Sequence, residues 1–221
     1  MLISLLSLMV LISSLAVLKI LTIQNRLTMI NSFFQKKLDQ IKLNKVTEVA
    51  LKLNIDPNWL LAVMYFETAR TLSPQITNSI GSVGLIQFTH DPNTPNHKKI
   101  AGKTYSLGYI KSLNFVQQMD LVYLYFKPYS GKMKNFLDVY LVTIFPLALN
   151  ESDAFVLKTK NLSASLIARQ NSVFDLDKNK QITRGEIKAF FAKYFTPKLF
   201  KEIQGTNNTL VILAFFLSFF Y

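Results

Sequence analysis

Residues 59–89 read WLLAVMYFETARTLSPQITNSIGSVGLIQFT, and the rest of the chain is best read outward from them. Pro57 to about Ala69 has the pattern of a helix. Leu60, Val63, Met64 and Glu67 recur at helical spacing, so a carboxylate continues an apolar stripe instead of joining a solvated face. Asp56 suits the N-cap and Pro57 the first helical position, and Ser73-Pro74 closes the element. Further on, Gly81-Ser82-Val83-Gly84 places two of the chain's seven glycines within four residues, consistent with a tight backbone approach. Leu85-Ile86-Gln87-Phe88 then sets one amide in an apolar run, where it needs a partner.

A carboxyl at the end of an apolar helix is suited to one kind of chemistry. Breaking a glycosidic bond requires a proton donor for the leaving oxygen and stabilisation of an oxocarbenium-like transition state. A carboxyl donates at neutral pH only if its pKa is raised, which burial among apolar neighbours does. Glu67, in line with Leu60 and Val63 and flanked by Tyr65 and Phe66, meets that requirement. Alone it would pass for an exposed helical glutamate; the glycine-rich segment behind it tips the balance.

Phe66-Glu67-Thr68 through Gly84-Leu85-Ile86-Gln87-Phe88-Thr89 resembles the soluble lytic transglycosylase and goose-type lysozyme superfamily, most closely its versions in bacteriophage structural proteins. Gln117-Gln118-Met119-Asp120 through Tyr129 is similar to the helix and turn after the active site in those proteins. Asp138-Val139-Tyr140-Leu141 and Ile144-Phe145-Pro146-Leu147-Ala148 fall where the family has its last active-site helix. The resemblance spans roughly Val46 to Leu149. It implies a lysozyme-like helical domain that cuts peptidoglycan, with Glu67 as general acid and then base. It also implies a substrate groove lined by Ser82 and Gln87. Phe145-Pro146 stands where many relatives carry a Tyr-Asn pair, so Phe145 is the expected wall residue there. In the family the muramic acid's own 6-hydroxyl attacks, leaving a 1,6-anhydro end. Attack by water in an inverting enzyme needs a second carboxylate about 6.5–9.5 Å away, for which Asp91 and Asp120 are candidates by region alone.

A second motif follows. Asp175-Leu176-Asp177-Lys178-Asn179-Lys180-Gln181-Ile182-Thr183-Arg184-Gly185-Glu186 fits the twelve-residue EF-hand loop. Asp175, Asp177, Asn179 and Glu186 supply side-chain oxygens, Gln181 a backbone carbonyl and Thr183 a hydroxyl or bridging water. Lys180 departs from the pattern, standing where the sharp turn normally has glycine. The plain alternative is an acidic turn leading into a helix capped by Thr183. A solitary loop of this kind is expected to bind calcium as a structural brace, not as a sensor, and the phage relatives also have such a loop after their core.

The expected fold class is mainly α, with helices from Asn31 to about Leu53, Ser112 to Phe126, Met133 to Leu149 and Glu186 to Tyr194. Asp91 to Lys103, rich in Pro, Asn and Lys, is expected as loop, and no strand is convincing. Residues 1–22 are expected as a transmembrane anchor or signal, 23–44 as a basic helical linker and 45–170 as the lysozyme-like domain. Residues 171–205 then form the calcium loop and its helix, and 206–221 an apolar tail. Met1 to Leu18 has no charge, a borderline length for a span. The positive charges Lys19, Arg26, Lys36 and Lys37 all follow it, which by the positive-inside rule puts the domain on the cytoplasmic side. That orientation conflicts with cutting a wall unless the membrane belongs to a virus particle or the protein awaits release.

Composition narrows the partners. The chain has 221 residues, no cysteine and only two histidines, His90 and His97. This excludes a disulfide framework, a thiolate metal site and a cysteine nucleophile, and argues against a Ser-His-Asp triad. The net charge of +12 is spread along the chain without a nucleic-acid motif. Peptidoglycan strands, a lipid membrane and other virion proteins are the expected partners, with no nucleic acid. The competing expectation is a non-catalytic structural protein that keeps the fold as a glycan-binding module.

Overall fold

The computed structural model describes residues 30–205. The expected anchor at 1–22 and the apolar tail at 206–221 lie outside the described residues. Within them no helix is long and apolar enough to cross a membrane. The architecture is mainly α: α1 (Ser32–Gln35), α2 (Gln40–Leu53), α3 (Pro57–Glu67), a hairpin β1 (His97–Ile100) and β2 (Lys103–Ser106), α4 (Leu107–Ser112), α5 (Phe115–Phe126), α6 (Phe136–Ile144), α7 (Ala164–Gln170), α8 (Arg184–Tyr194) and α9 (Pro197–Gly205).

Helix α3 is the axis. Asp56 caps it by accepting from Asn58 N–H, and Pro57 occupies its first turn. Every residue from Pro57 to Tyr65 is buried, so α3 is enclosed on all sides, more than the single stripe of its spacing implies. Helices α2 and α6 pack on it, α2 also packs on α5, and Trp59 Nε1 donates to the Ile203 carbonyl of α9 at 2.8 Å.

The expected helix over 31–53 is two helices. Asp39 accepts from Lys42 N–H at 3.0 Å and so starts α2 afresh. Ile30, Phe34 and Leu43 belong to the core, so this part of the expected linker, 30–44, is body and not tether. The expected helix over 133–149 is likewise shorter. Asn135 caps α6 by accepting from Asp138 N–H, and Phe145 takes an extended ψ of 78° because Pro146 disfavours helix in the residue before it.

The expected loop over 91–103 is also corrected, because β1 and β2 pair antiparallel, Ile100 opposite Lys103. Ala101 and Gly102, at φ 48° and 84°, form the tight turn that suits a two-residue hairpin. The strands are short and only Ile100 in them is buried, so no alternation betrays them in the sequence. Phe174, Ile182, Ile187 and Phe191 join the same hydrophobic cluster as α3, so the calcium-type loop is built onto the one core.

Candidate active site

Glu67 is the last residue of α3. Thr68 ends the helix with a buried hydroxyl that donates to the Met64 carbonyl at 2.7 Å and accepts from Leu72 N–H at 2.8 Å. Ala69, Arg70 and Leu72 all have positive φ, a concentration that non-glycine residues rarely show. The chain thus turns sharply away and leaves the carboxyl at the helix end. Behind it, Phe66 packs edge-on against Tyr140, Phe190, Phe191 and Tyr194, which surrounds this end of α3 with apolar rings.

Burial pushes the Glu67 carboxyl up to about 8, opposed only by the Thr143 hydroxyl, which lies 3.4 Å from Oε1. A neutral carboxylic acid at neutral pH is the form that can donate a proton. Tyr125 and Tyr140 stand close enough for the Glu67 charge to act on them. Burial first, then Tyr129 and the Glu67 charge, push the Tyr125 phenol up to about 12, and burial with the Glu67 charge second raises Tyr140 well above its usual range.

The glycine-rich segment forms a compact turn. Val83 and Phe88 exchange backbone hydrogen bonds at 3.1 and 2.8 Å, and Gly81 and Gly84 take φ of 84° and 81°. Gln118, fully buried on α5, clamps the turn. Its Oε1 accepts from Leu85 N–H at 2.6 Å, and its Nε2 donates to the carbonyls of Pro74 and Ile110 at 3.0 and 2.9 Å. A Cβ at residue 84 would meet that Oε1 at 2.4 Å, so the glycine is required there.

Gln87 finds the partner its position demands, donating from Nε2 to the Gly84 carbonyl at 3.0 Å. It lines a cleft of about 70 Å³ with Thr89, Lys98, Tyr125 and Thr143. Through Thr143 this cleft adjoins Glu67. Ser82 is buried behind it and shares a 2.7 Å hydrogen bond with the Thr89 hydroxyl, so it positions Thr89 from beneath. Phe145 is also buried, at the C-terminal end of the helix that carries Thr143. Tyr125, Thr143 and Lys98 are wall residues that sequence spacing did not single out.

Neither candidate second carboxylate is free. Asp120 pairs with Lys45 at 2.7 Å on an exposed face of α5. Burial works to raise the Asp91 pKa, but Lys98 Nζ at 2.9 Å and Lys99 N–H at 2.7 Å outweigh it and hold the carboxyl below its usual range.

In the calcium-type loop, Asp175, Asp177 and Glu186 each turn an oxygen to within 4.8 Å of the others. Oδ1 of Asp175 is buried without a hydrogen-bond partner, and Lys180 adopts φ 67°, the left-handed turn that the sixth loop position requires. These features fit a hard cation held by oxygens. Thr183 also caps α8 in a reciprocal box with Glu186, so the helix-cap alternative is realised within the same loop. In place of a second loop, an extended segment pairs with Ile182: Leu157 N–H donates to the Ile182 carbonyl at 2.8 Å and Arg184 N–H to that of Phe155 at 2.9 Å.

No protein-family model matches the chain, and no curated protein or solved structure does.

Proposed function

We propose that the chain is a peptidoglycan lytic transglycosylase acting on the β-1,4 bond between N-acetylmuramic acid and N-acetylglucosamine, with Glu67 its single catalytic carboxyl. The observation that carries this is the place of Glu67: the last residue of α3, 3.4 Å from Thr143 in the wall of a cleft shared with Gln87, Thr89 and Tyr125, where burial pushes its carboxyl up to about 8. Protonated Glu67 gives its proton to the glycosidic oxygen as the bond from that oxygen to the muramic acid C1 breaks. The resulting carboxylate takes the proton from the muramic acid 6-hydroxyl as that oxygen closes on C1, restoring the acid without water. The engagement of Asp91 and Asp120 by lysines favours this route over inverting hydrolysis.

At about 70 Å³ the cleft is small for a sugar ring. That narrowness is what favours the second reading, a structural protein that keeps the fold without turnover. Calcium is proposed as a structural brace, with Asp175, Asp177, Asn179, Thr183 and Glu186 as side-chain ligands and the Gln181 carbonyl between them. Attachment to a virion or envelope membrane belongs to the same proposal. The test is release of anhydro-muropeptides from purified sacculi by the full chain in detergent, analysed by mass spectrometry. Anhydro ends absent from a Glu67→Gln digest support the assignment. Equal release by the variant, or products carrying reducing ends, refutes it.

A further inference from the structure

The two ends of the described residues meet on one face. The Asn31 side-chain amide donates to Oε2 of Glu202, and Asn31 N–H donates to Oδ1 of Asn58 at 2.8 Å. With Trp59 bonded to the Ile203 carbonyl, the first turn of α3 holds both chain ends side by side. A groove of about 450 Å³ runs between them, and Lys36, Lys37 and Lys198 stand on its walls. Leu199 and Ile203 of α9 turn inward, leaving Lys198 and Lys201 outward. Lys36, Lys198 and Lys201 are exposed and have no ion-pair partner among the described residues. Residues 1–18, eleven residues before this face in the sequence, and residues 206–221, directly after it, contain no charged side chain.

We propose that this lysine-bearing face docks on an anionic lipid bilayer, with the apolar stretches at both ends of the chain entering that same bilayer beside it. Lysines near a surface are drawn to anionic headgroups over about a Debye length, and apolar segments partition into the layer beneath. Cation and apolar chain leaving one face together match the two halves of a lipid surface. Helix α3 separates this face from the candidate active site. Tyr65 contacts Phe33 and Phe34 and lies under the Lys37 ammonium at 5.1 Å. Glu67, two residues later and so about 200° round the helix, faces Thr143. Docking therefore leaves the cleft open to a polymer outside the membrane. That consequence rests on the proposed lytic activity; the docking itself does not.

The chain has no cysteine, so one fluorophore can be attached to the full-length protein through Lys201→Cys, or through Lys103→Cys on the hairpin beside the cleft. The probe is a vesicle of equal parts phosphatidylglycerol and phosphatidylcholine doped with head-group spin-labelled lipid. The expected result is strong quenching at position 201 and little at 103. Quenching at 201 should weaken severalfold in phosphatidylcholine alone, and in a Lys36→Glu, Lys198→Glu variant whose melting temperature is unchanged, because the apolar ends then hold the chain without seating this face. Equal quenching at both positions, or quenching at 201 indifferent to lipid charge and to the lysines, overturns the proposal. Muropeptide release by the same samples separates the two ideas. An inactive protein that keeps the quenching pattern loses the enzymatic function and retains the docking face.

Discussion

The Thr143 hydroxyl lies 2.6 Å from the Tyr140 carbonyl and 3.4 Å from Oε1 of Glu67, so its single proton goes to the backbone. Glu67 is left with little support for its charge, which is why burial prevails and its pKa rises to about 8.

That shift makes folding stability fall with pH. The folded state holds the Glu67 proton more tightly than the unfolded chain, whose ordinary value is 4.5. The stabilisation is complete below about pH 4.5 and is lost as pH rises toward 8. Glu67→Gln removes the burden, worth on the order of 3 kcal/mol at pH 7. Denaturant titrations should find variant and wild type equally stable near the acid end and the variant more stable at neutral pH. Equal stability at both would mean that the carboxyl is solvated.

Activity should follow the same group. Anhydro-muropeptide release needs the acid form, so its alkaline limb should fall with an apparent pKa near 8. A limb centred near the usual carboxylate range would remove Glu67 from the proton-donor role.

The two glycines of the turn separate backbone strain from close packing. Gly81→Ala meets open space and bears only the left-handed cost, about 1–2 kcal/mol. Gly84→Ala bears the same cost and also drives a Cβ into Gln118, adding about 1–3 kcal/mol. Chemical denaturation of the pair should therefore rank Gly84→Ala as clearly the worse, and that variant should also lose muropeptide release.

Calcium should raise the melting temperature. At a hundredfold excess over Kd, binding to the folded state alone contributes about 2.7 kcal/mol. Glu186→Gln should abolish the calcium-dependent rise. Lys180→Gly relieves a positive φ and removes a cation beside the ion, so calorimetric titration should record tighter binding than in wild type. Weaker binding in that variant would count against the loop as a calcium site.

The loop is also wired to α6. Arg184 bonds the fully buried Asp138 at 3.1 Å and Asp153 at 2.8 Å. Arg184→Met leaves the buried Asp138 carboxylate with backbone N–H donors but no cation and should cost about 3–5 kcal/mol, whereas Lys188→Met, whose pairing with Asp153 is exposed, should cost less than about 1 kcal/mol. Urea midpoints of the two variants measure the difference.

Much of the helical framework was legible because its signals are local. Asp56-Pro57 marks the start of α3, Thr183 with Glu186 the start of α8, and the apolar spacing of residues 115–126 the body of α5. The hairpin was not legible, since Ile100 is the one buried residue in its two strands and a single core position sets no alternation. Nor was the break at Asp39, where one side-chain bond outweighs a continuous helical pattern. In the site, Glu67 and Gln87 stand out in the sequence, but Thr143, Tyr125 and Lys98 come from two other helices and the hairpin, and no spacing rule links them. Ser82 was legible as a member of the turn; that it is buried and bonded to the Thr89 hydroxyl in the cleft wall was not.

The sequence by itself determined where α3 begins, that a carboxylate lies near its end, and where glycine or a lysine in its stead must take a left-handed turn. Those are matters of a few neighbouring dihedrals and one side-chain bond. Only the tertiary structure decided that Glu67 keeps its proton, because desolvation sums over everything packed around a group, here α6, α5 and the phenyl rings behind Phe66. It alone also decided that Asn31 and Glu202 meet on one lysine-bearing face, on the side of α3 away from that carboxyl.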